Sequence, residues 1–131
     1  MAVHELRLVV TAADYGEALF FYRDVIGLPQ LAEFDSPGGH VVLLDAGRAT
    51  FELTDEVNAA YVDDVEVGRR VAGQIRLAFR VEDAAAAAAA AEAGGATALG
   101  APVRPPWGGL NARLVTPDGI QLTLFEDAPG G

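Results

Sequence analysis

The sequence predicts an α+β fold in which two tandem βαβββ modules build an open mixed sheet with a cleft. The first observation is a repeated order of elements (strand, capped helix, glycine, three short strands) at residues 4–54 and 73–126. The second is the alternating pattern that closes each copy, GRATFELT and DGIQLTLFE, which is typical of strands with one buried face. A repeated unit of this size cannot bury its apolar face alone. We therefore expect a single domain over residues 1–131, with the cleft where the two sheets meet.

Module 1 (4–54) opens with a strand at 4–11, and Asp14 is positioned to cap the helix that follows. Gly27 ends that helix, and Pro29 prevents its continuation. The turn sequences PGG and DAG then separate three short predicted strands, near 30–35, 40–45 and 49–54.

Residues 55–72 combine many acidic side chains with little strand pattern, and we interpret them as a partly helical linker between the modules. Three of its acids, Asp63, Asp64 and Glu66, are expected on a solvated face, because charged side chains are seldom buried.

Module 2 (73–126) opens with a strand at 74–81, and Asp83 caps an alanine-rich helix that stops at Gly94. A PDG turn precedes the last strand. The remaining predicted strands lie near 97–103, 110–116 and 120–126. The tail 127–131 is expected to be flexible.

The composition limits the possible partners and locations. Nine basic residues, all arginine, face 19 acidic ones, which gives a net charge of −10 and makes nucleic acid and membrane surfaces unexpected partners. The absence of cysteine excludes disulfides and thiolate catalysis. No apolar run resembles a leader or a membrane span, so we expect a cytoplasmic protein.

Alternation along the strands separates two faces of the predicted sheet. The apolar face is expected to lie under the helices, while the opposite face carries charged side chains in mid-strand, which is unusual for a core. That opposite face is either a solvent-exposed surface with ion pairs or the lining of a ligand cleft. Its polar members include Glu5, Arg7, Glu52, Arg76 and Thr123.

The segments ALFFYRDVIGLP, GRATFELT, RLAFRVED and TPDGIQLTLFE, in their paired βαβββ order, resemble the vicinal oxygen chelate superfamily. This superfamily contains glyoxalase I, extradiol dioxygenases and bleomycin-resistance-type binding proteins. The resemblance implies the glyoxalase/bleomycin resistance/dioxygenase fold and a small-molecule ligand in the cleft. It also implies a homodimer, with clefts shared between subunits.

Enzymes of this superfamily place one metal ligand, typically His or Glu, on each of four strands. Matching the motifs puts those four positions near Arg7, Glu52, Arg76 and Thr123, of which only Glu52 is a usual ligand type. Arginine has no free lone pair to offer a metal, and one carboxylate does not hold Zn²⁺, Ni²⁺, Fe²⁺ or Mn²⁺. We therefore expect no metal cofactor.

The two arginines that flank Glu52 suggest a different use of the cleft. One guanidinium can pair with Glu52 through two parallel hydrogen bonds, leaving the other to hold an anionic or carbonyl-bearing ligand. The alternative is a closed ion-pair network that only joins the two modules, and the neighbouring Glu5 favours it by offering a second counter-charge.

Further candidates for ligand contact lie in the irregular segment PVRPPWGGLN and just after it. Trp107 is a core residue or a platform that stacks a flat ligand. Asn111 and Arg113 are candidate polar contacts, and Arg104 is a weaker one. His4 and His40 are expected at the surface.

Three functions remain open. The first is a metal-free binding protein of the bleomycin-resistance type, which sequesters a small or aromatic metabolite or drug. The second is a glyoxalase- or dioxygenase-like lyase, isomerase or oxygenase that uses a divalent metal or Glu52 as general base. The third is a non-catalytic interaction module whose cleft is filled by its own side chains.

Overall fold

The computed structural model describes residues 1–128 of the chain. Its strands are β1 Glu5–Ala12, β2 Gln30–Ser36, β3 Gly39–Asp45, β4 Thr50–Asp55, β5 Ile75–Arg80, β6 Thr97–Ala98, β7 Asn111–Val115 and β8 Gln121–Phe125. Its helices are α1 Tyr15–Leu19, which continues as a π-helical segment Phe20–Val25, then α2 Glu56–Glu66 and α3 Ala84–Ala93. Of the predicted tail 127–131, residues 129–131 lie outside the described residues.

All eight strands form one mixed sheet in the order β2-β3-β4-β1-β5-β8-β7-β6. The pairs β1–β4 and β5–β8 are parallel, and each closes one βαβββ module. The modules join through the antiparallel pair β1–β5, from Glu5 opposite Arg80 to Val10 opposite Ile75. The predicted α+β fold and open mixed sheet are confirmed. Instead of a cleft between two sheets, however, the modules share one sheet, because the leading strands bond edge to edge.

The helices α1 and α3 cover the same side of this sheet, one in each module. The apolar residues of β1, β3 and β4 pack against α1 and the π-helical segment. Among them, Val42, Leu44 and Leu53 are fully buried. Beneath α3 lie the corresponding residues of β5, β7 and β8. Caps fix both helix starts, since Asp14 and Asp83 each accept a backbone hydrogen bond at 3.0 Å. Gly27 ends the first helical stretch at φ +90°.

The linker forms α2, which contacts strands of both modules on the other side of the sheet. Asp55 caps it by accepting the backbone N–H of Asn58 at 2.8 Å. Its first turn lies directly on Gly39, where an added Cβ would come within 2.6 Å of the Asn58 nitrogen. The linker is therefore helical, as expected, but it covers part of the face that was expected to be open.

One predicted strand is much shorter than expected. Residues 97–103 form only the two-residue β6, followed by an isolated bridge between Val103 and Asn111. The glycines and prolines that follow Ala98 in the sequence disfavour a longer ladder. Among the described residues, no helix has the length and apolar character needed to span a membrane.

Candidate functional site

The side of the sheet opposite α1 and α3 contains a cavity of about 550 Å³ between the central strands, α2 and the segment around Trp107. A cavity of this size accommodates a drug-sized ligand. Its walls are mostly apolar and aromatic, and they include Phe34, Val41, Leu43, Tyr61, Val62, Ala78, Pro106, Trp107 and Phe125. Six of the seven residues predicted to contact a ligand line it: Arg7, Glu52, Arg76, Trp107, Asn111 and Thr123.

The four residues matched to the family's metal-ligand positions lie on this face and make two contacts, one between Arg7 and Glu52 and one between Arg76 and Thr123. Arg7 Nη1 lies 3.7 Å from Oε1 of Glu52. The second contact is a hydrogen bond of 2.5 Å from Arg76 Nη1 to Thr123 Oγ1. The strand alignment places the four side chains in two neighbouring rows of one face: Val9 lies opposite both Glu52 and Arg76, and Ala78 lies opposite both Arg7 and Thr123. The four residues thus share one face of the sheet, as the alternation predicted, but neither arginine forms the doubly bonded pair with Glu52.

Arg7 is engaged mainly by Glu5. Its Nε donates to Glu5 Oε2 at 3.0 Å, and its guanidinium lies 4.8 Å above the Phe125 ring. Glu5 also accepts hydrogen bonds from Thr50 at 2.5 Å and Arg80 at 3.3 Å. Burial acts to raise the pKa of Glu5, but the hydrogen bonds from Thr50 and Arg7 outweigh it and hold that pKa below its ordinary value. Arg7 is therefore neutralised without Glu52.

Arg76 differs from Arg7 in its charge environment. The residue is only 9% exposed, and within residues 1–128 its guanidinium makes one hydrogen bond, to Thr123, and has no carboxylate within 4 Å. Burial, reinforced by the nearby guanidinium of Arg113, lowers the pKa of Arg76 from its usual value, and the charges of Glu52 and Glu66 only partly offset this. The cavity floor thus carries a buried cation without an ion-pair partner.

These four side chains do not fit a divalent metal. Guanidinium groups offer no lone pair, and they would place two positive charges beside the cation. Nowhere in residues 1–128 do three or more His, Asp or Glu side chains cluster in a way that suits a metal ion. The donor chemistry at these positions suits an anion or a carbonyl oxygen instead.

A buried ion-pair network holds α2 against module 2. Arg113 Nη2 lies 3.0 Å from Asp63 Oδ1, and its Nη1 lies 3.1 Å from Glu66 Oε1. Glu66 also accepts a hydrogen bond from Asn111 at 2.8 Å. Arg113 is therefore occupied by α2 and, unlike the other predicted contacts, is absent from the cavity lining.

The expectation of solvated acids in the linker is wrong for two of the three. Asp63 is 1% exposed and Glu66 6% exposed, while Asp64 is exposed as expected. Asp63 accepts the backbone N–H groups of residues 71 and 72 and a 2.8 Å hydrogen bond from Arg70. Burial raises the pKa of Asp63, but these backbone and arginine hydrogen bonds prevail and hold it below its ordinary value. All three hydrogen bonds reach Oδ2, while Oδ1 lies 3.0 Å from Arg113 without a hydrogen bond to the described residues. Together these contacts offset the cost of burying the carboxylate.

Sequence reasoning missed the contribution of α2 to the site. Asn58, Val62 and Glu66 are spaced four residues apart, so they lie on one helix face, which is turned to the cavity. The spacing could be read from the sequence, but the many acidic residues of the segment led to its interpretation as a linker with a solvated face. Ser36, which had no assigned role in the site, also lines the cavity, and its Oγ is buried without a hydrogen-bond partner among residues 1–128.

Trp107 lies at the edge of the cavity and is 44% exposed. Its ring centroid is 5.8 Å from that of Tyr61 on α2, with the rings inclined at 50°. The indole is thus a half-exposed aromatic wall, as the platform interpretation requires.

The remaining candidates lie outside the cavity lining. Arg104 is exposed on its loop. His4 and His40 are exposed, as predicted. The His40 Nδ1–H donates a 2.8 Å hydrogen bond to Asp35 Oδ1, and this bond raises the pKa of the imidazole.

Comparison with known proteins agrees with this architecture. The family model for the Glyoxalase/Bleomycin resistance protein/Dioxygenase superfamily matches residues 6–124. No curated protein matches the sequence.

Solved structures with similar folds share little sequence identity with the chain. A hypothetical protein from Bacillus halodurans C-125 is 16% identical, with a TM-score of 0.74 and coverage of 100% of this chain and 99% of that one. Methylmalonyl-CoA epimerase from Mycobacterium tuberculosis is 23% identical, with a TM-score of 0.67 and coverage of 97% and 90%. A mutant 4-hydroxymandelate synthase from Streptomyces coelicolor is 22% identical, with a TM-score of 0.62, and the match covers 95% of this chain but 38% of that one. At these identities the similarity establishes the fold.

Proposed function

Because the chain belongs to the Glyoxalase/Bleomycin resistance protein/Dioxygenase superfamily, we propose that it is a metal-free binding protein that sequesters a small organic molecule in its cavity. The observation that carries the proposal is the cavity of about 550 Å³, which has apolar and aromatic walls together with polar and charged side chains, among them Arg76 and Glu52. Preformed sites for small molecules have this character. Such a protein lowers the free concentration of its ligand by mass action and catalyses no reaction.

The replacement of the family's metal positions supports the metal-free part of this proposal. Arg7 and Arg76 occupy two of the four positions, and neither side chain can coordinate a cation. Arg7 is neutralised by Glu5, so the structural role of that pair does not depend on a metal. The bleomycin-resistance-type members of the superfamily offer a precedent for binding without catalysis.

A ligand screen by thermal shift tests the proposal directly. The panel contains aromatic acids, amides and amines, together with a glycopeptide drug. A ligand present at 100 times its Kd stabilises the folded state by about 2.7 kcal/mol, which raises the melting temperature measurably. Trp107 is the only tryptophan, so a true cavity ligand also changes its fluorescence. A panel that changes neither property would contradict the proposal.

A second candidate, an isomerase that moves a proton beside a carbonyl group, is favoured by the environment of Glu52. Its carboxylate lines the cavity, and its contact with Arg7 at 3.7 Å is too long for a hydrogen bond, so it is available as a general base. Glu52 would remove a proton from the carbon next to the carbonyl, and Arg76 would stabilise the resulting enolate oxygen. The fold shared with methylmalonyl-CoA epimerase adds analogy only.

Deuterium exchange separates this candidate from the binding protein. Methylmalonyl-CoA is incubated with the protein in D₂O, and the loss of its α-proton signal is followed by NMR. Exchange that disappears in Glu52→Gln would establish the isomerase, whereas a binding protein gives no exchange above background.

We also propose that the protein is a cytoplasmic homodimer. The outer face of α1 and the π-helical segment supports a partner surface, because Phe20, Val25 and Ile26 are 60%, 57% and 57% exposed. Sedimentation equilibrium of wild type and Phe20→Glu tests the assembly. A wild-type monomer at micromolar concentration would contradict it.

A further inference from the structure

Arg76 differs from the other buried or half-buried arginines of residues 1–128. Arg7, Arg80 and Arg113 each lie within 4 Å of at least one carboxylate, whereas Arg76 does not. Its only hydrogen bond uses Nη1, so the edge formed by Nε and Nη2 has no partner in the described part of the chain. Because Arg76 lines the cavity, that edge is available to a molecule inside it.

A buried guanidinium without a counter-ion is energetically unfavourable, since desolvation is not offset by an ion pair. A ligand that brings one negative charge to this position removes the imbalance. We propose that the ligand is a flat aromatic carboxylate whose carboxylate group binds Arg76, an inference that rests on the proposed binding function. The planar Nε–Nη2 edge matches the two oxygens of a carboxylate.

The other charges of the cavity restrict the ligand to one negative charge. Five carboxylates line the same space as Arg76, those of Asp35, Glu52, Glu66, Glu126 and Asp127. A second negative charge on the ligand would therefore meet carboxylates rather than another unpaired cation. Glu66 already accepts hydrogen bonds from Arg113 and Asn111. A monocarboxylate therefore suits the site better than a phosphate ester, which carries up to two charges.

The walls indicate the remainder of the molecule. Trp107 and Tyr61 form an inclined aromatic pair at the cavity edge, and Trp107 keeps 44% of its surface exposed. Aromatic side chains with free ring surface bind planar rings by offset stacking. Thr123 acts as a positioning residue, because its hydroxyl oxygen accepts the Nη1 hydrogen bond and fixes the guanidinium plane.

Isothermal titration calorimetry with three matched probes tests the inference: 2-naphthoate, its neutral isostere 2-naphthamide, and the cation 2-naphthylmethylammonium. We expect 2-naphthoate to bind at least ten-fold more tightly than 2-naphthamide, because only the anion pairs with Arg76. The variant Arg76→Gln should abolish the preference for 2-naphthoate over 2-naphthamide. Exposed Arg104 is the matched control, and Arg104→Gln should change neither affinity.

A second variant gives a test that does not remove the charge. Thr123→Val deletes the acceptor that orients Arg76, so the preference for 2-naphthoate over 2-naphthamide should fall at least three-fold.

The outcomes separate this inference from the proposed function. Equal binding of anion and amide, tighter binding of the cation, or binding of none of the three probes would each overturn the carboxylate assignment. If the wider ligand panel still shifts the melting temperature and the Trp107 fluorescence, the binding function stands and only the ligand class is wrong. If that panel also fails, the proposed function fails as well.

Discussion

Arg113 of β7 and Asp63 of α2 form an ion pair of 3.0 Å in which both side chains are 1% exposed. This pair explains why the linker lies across the sheet face that faces away from α1 and α3. It also separates two kinds of arginine on that face. Arg113 forms two buried ion pairs, with Asp63 and Glu66, whereas Arg76, on β5, is buried without a carboxylate within 4 Å among the described residues.

The first prediction concerns the stability of an Arg76 variant. Arg76→Met removes an uncompensated buried cation and keeps much of the side-chain volume, so we expect the free energy of unfolding to rise by about 1 kcal/mol or more. Urea denaturation measures the change. Arg113→Met is the control with the opposite sign, because it leaves Asp63 and Glu66 buried with less compensation. Equal destabilisation by both variants would show that Arg76 is structurally paired.

The second prediction compares two neighbouring aspartates of α2. Asp63→Ala removes the acceptor of two backbone N–H groups and of Arg70, and the ion-pair partner of Arg113, so we expect a loss of about 3–5 kcal/mol in the free energy of unfolding. Asp64→Ala, at an exposed position of the same helix, should change stability by less than about 0.5 kcal/mol. Thermal and urea unfolding of the two variants provide the measurement, and similar losses would refute the assigned role of Asp63.

The third prediction is the pH dependence that follows from Asp63. Its pKa is lower in the folded protein than in the unfolded chain, so its contribution to stability is complete above about pH 4, the usual aspartate range. That contribution is lost as the pH falls through the folded pKa. The difference in unfolding free energy between wild type and Asp63→Asn should therefore stay constant above about pH 4 and shrink as the pH falls below it. A difference that stays constant below that pH as well would show that Asp63 is not ionised in the fold.

Much of the fold was predictable because it depends on local signals. The caps Asp14 and Asp83, the stop at Gly27 and the alternation of β4 and β8 are all short-range features, and each occurs where expected. The joining of the modules into one sheet was not predicted. It depends on hydrogen bonds between β1 and β5, which are distant in sequence and have no local signature.

The sheet face that carries the candidate site residues was predictable from the sequence, but the ion-pair partners of its arginines were not. Alternation placed Arg7, Glu52, Arg76 and Thr123 on one face, as found. Which carboxylate each arginine contacts depends on side-chain directions across several strands. Glu5 therefore replaces Glu52 as the main partner of Arg7, and α2 supplies the partners of Arg113.

The fourth prediction concerns α3, whose packing the sequence could not reveal because eight consecutive residues are alanine. The structure buries Ala84, Ala87 and Ala88 and exposes Ala86 and Ala89. Ala88→Leu should overpack the core and cost about 1–3 kcal/mol, while Ala89→Leu on the outer face should be nearly neutral. Urea denaturation of both variants checks this. Equal effects would mean that α3 is rotated about its axis.

The fifth prediction is that divalent metal is not required for folding or ligand binding. Guanidiniums at two of the four family positions leave Glu52 as the only strong ligand, so bound metal would have too few donors and would be repelled by two positive charges. Elemental analysis of protein purified without chelator should give well below one equivalent of Zn, Ni, Fe or Mn. EDTA should leave the melting temperature and 2-naphthoate affinity unchanged.

The double variant Arg7→His/Arg76→His is an informative counterpart, because it places imidazole ligands beside Glu52 and should gain Zn²⁺-dependent stabilisation. Stoichiometric metal in the wild type, lost together with stability on chelation, would contradict the prediction and with it the metal-free function.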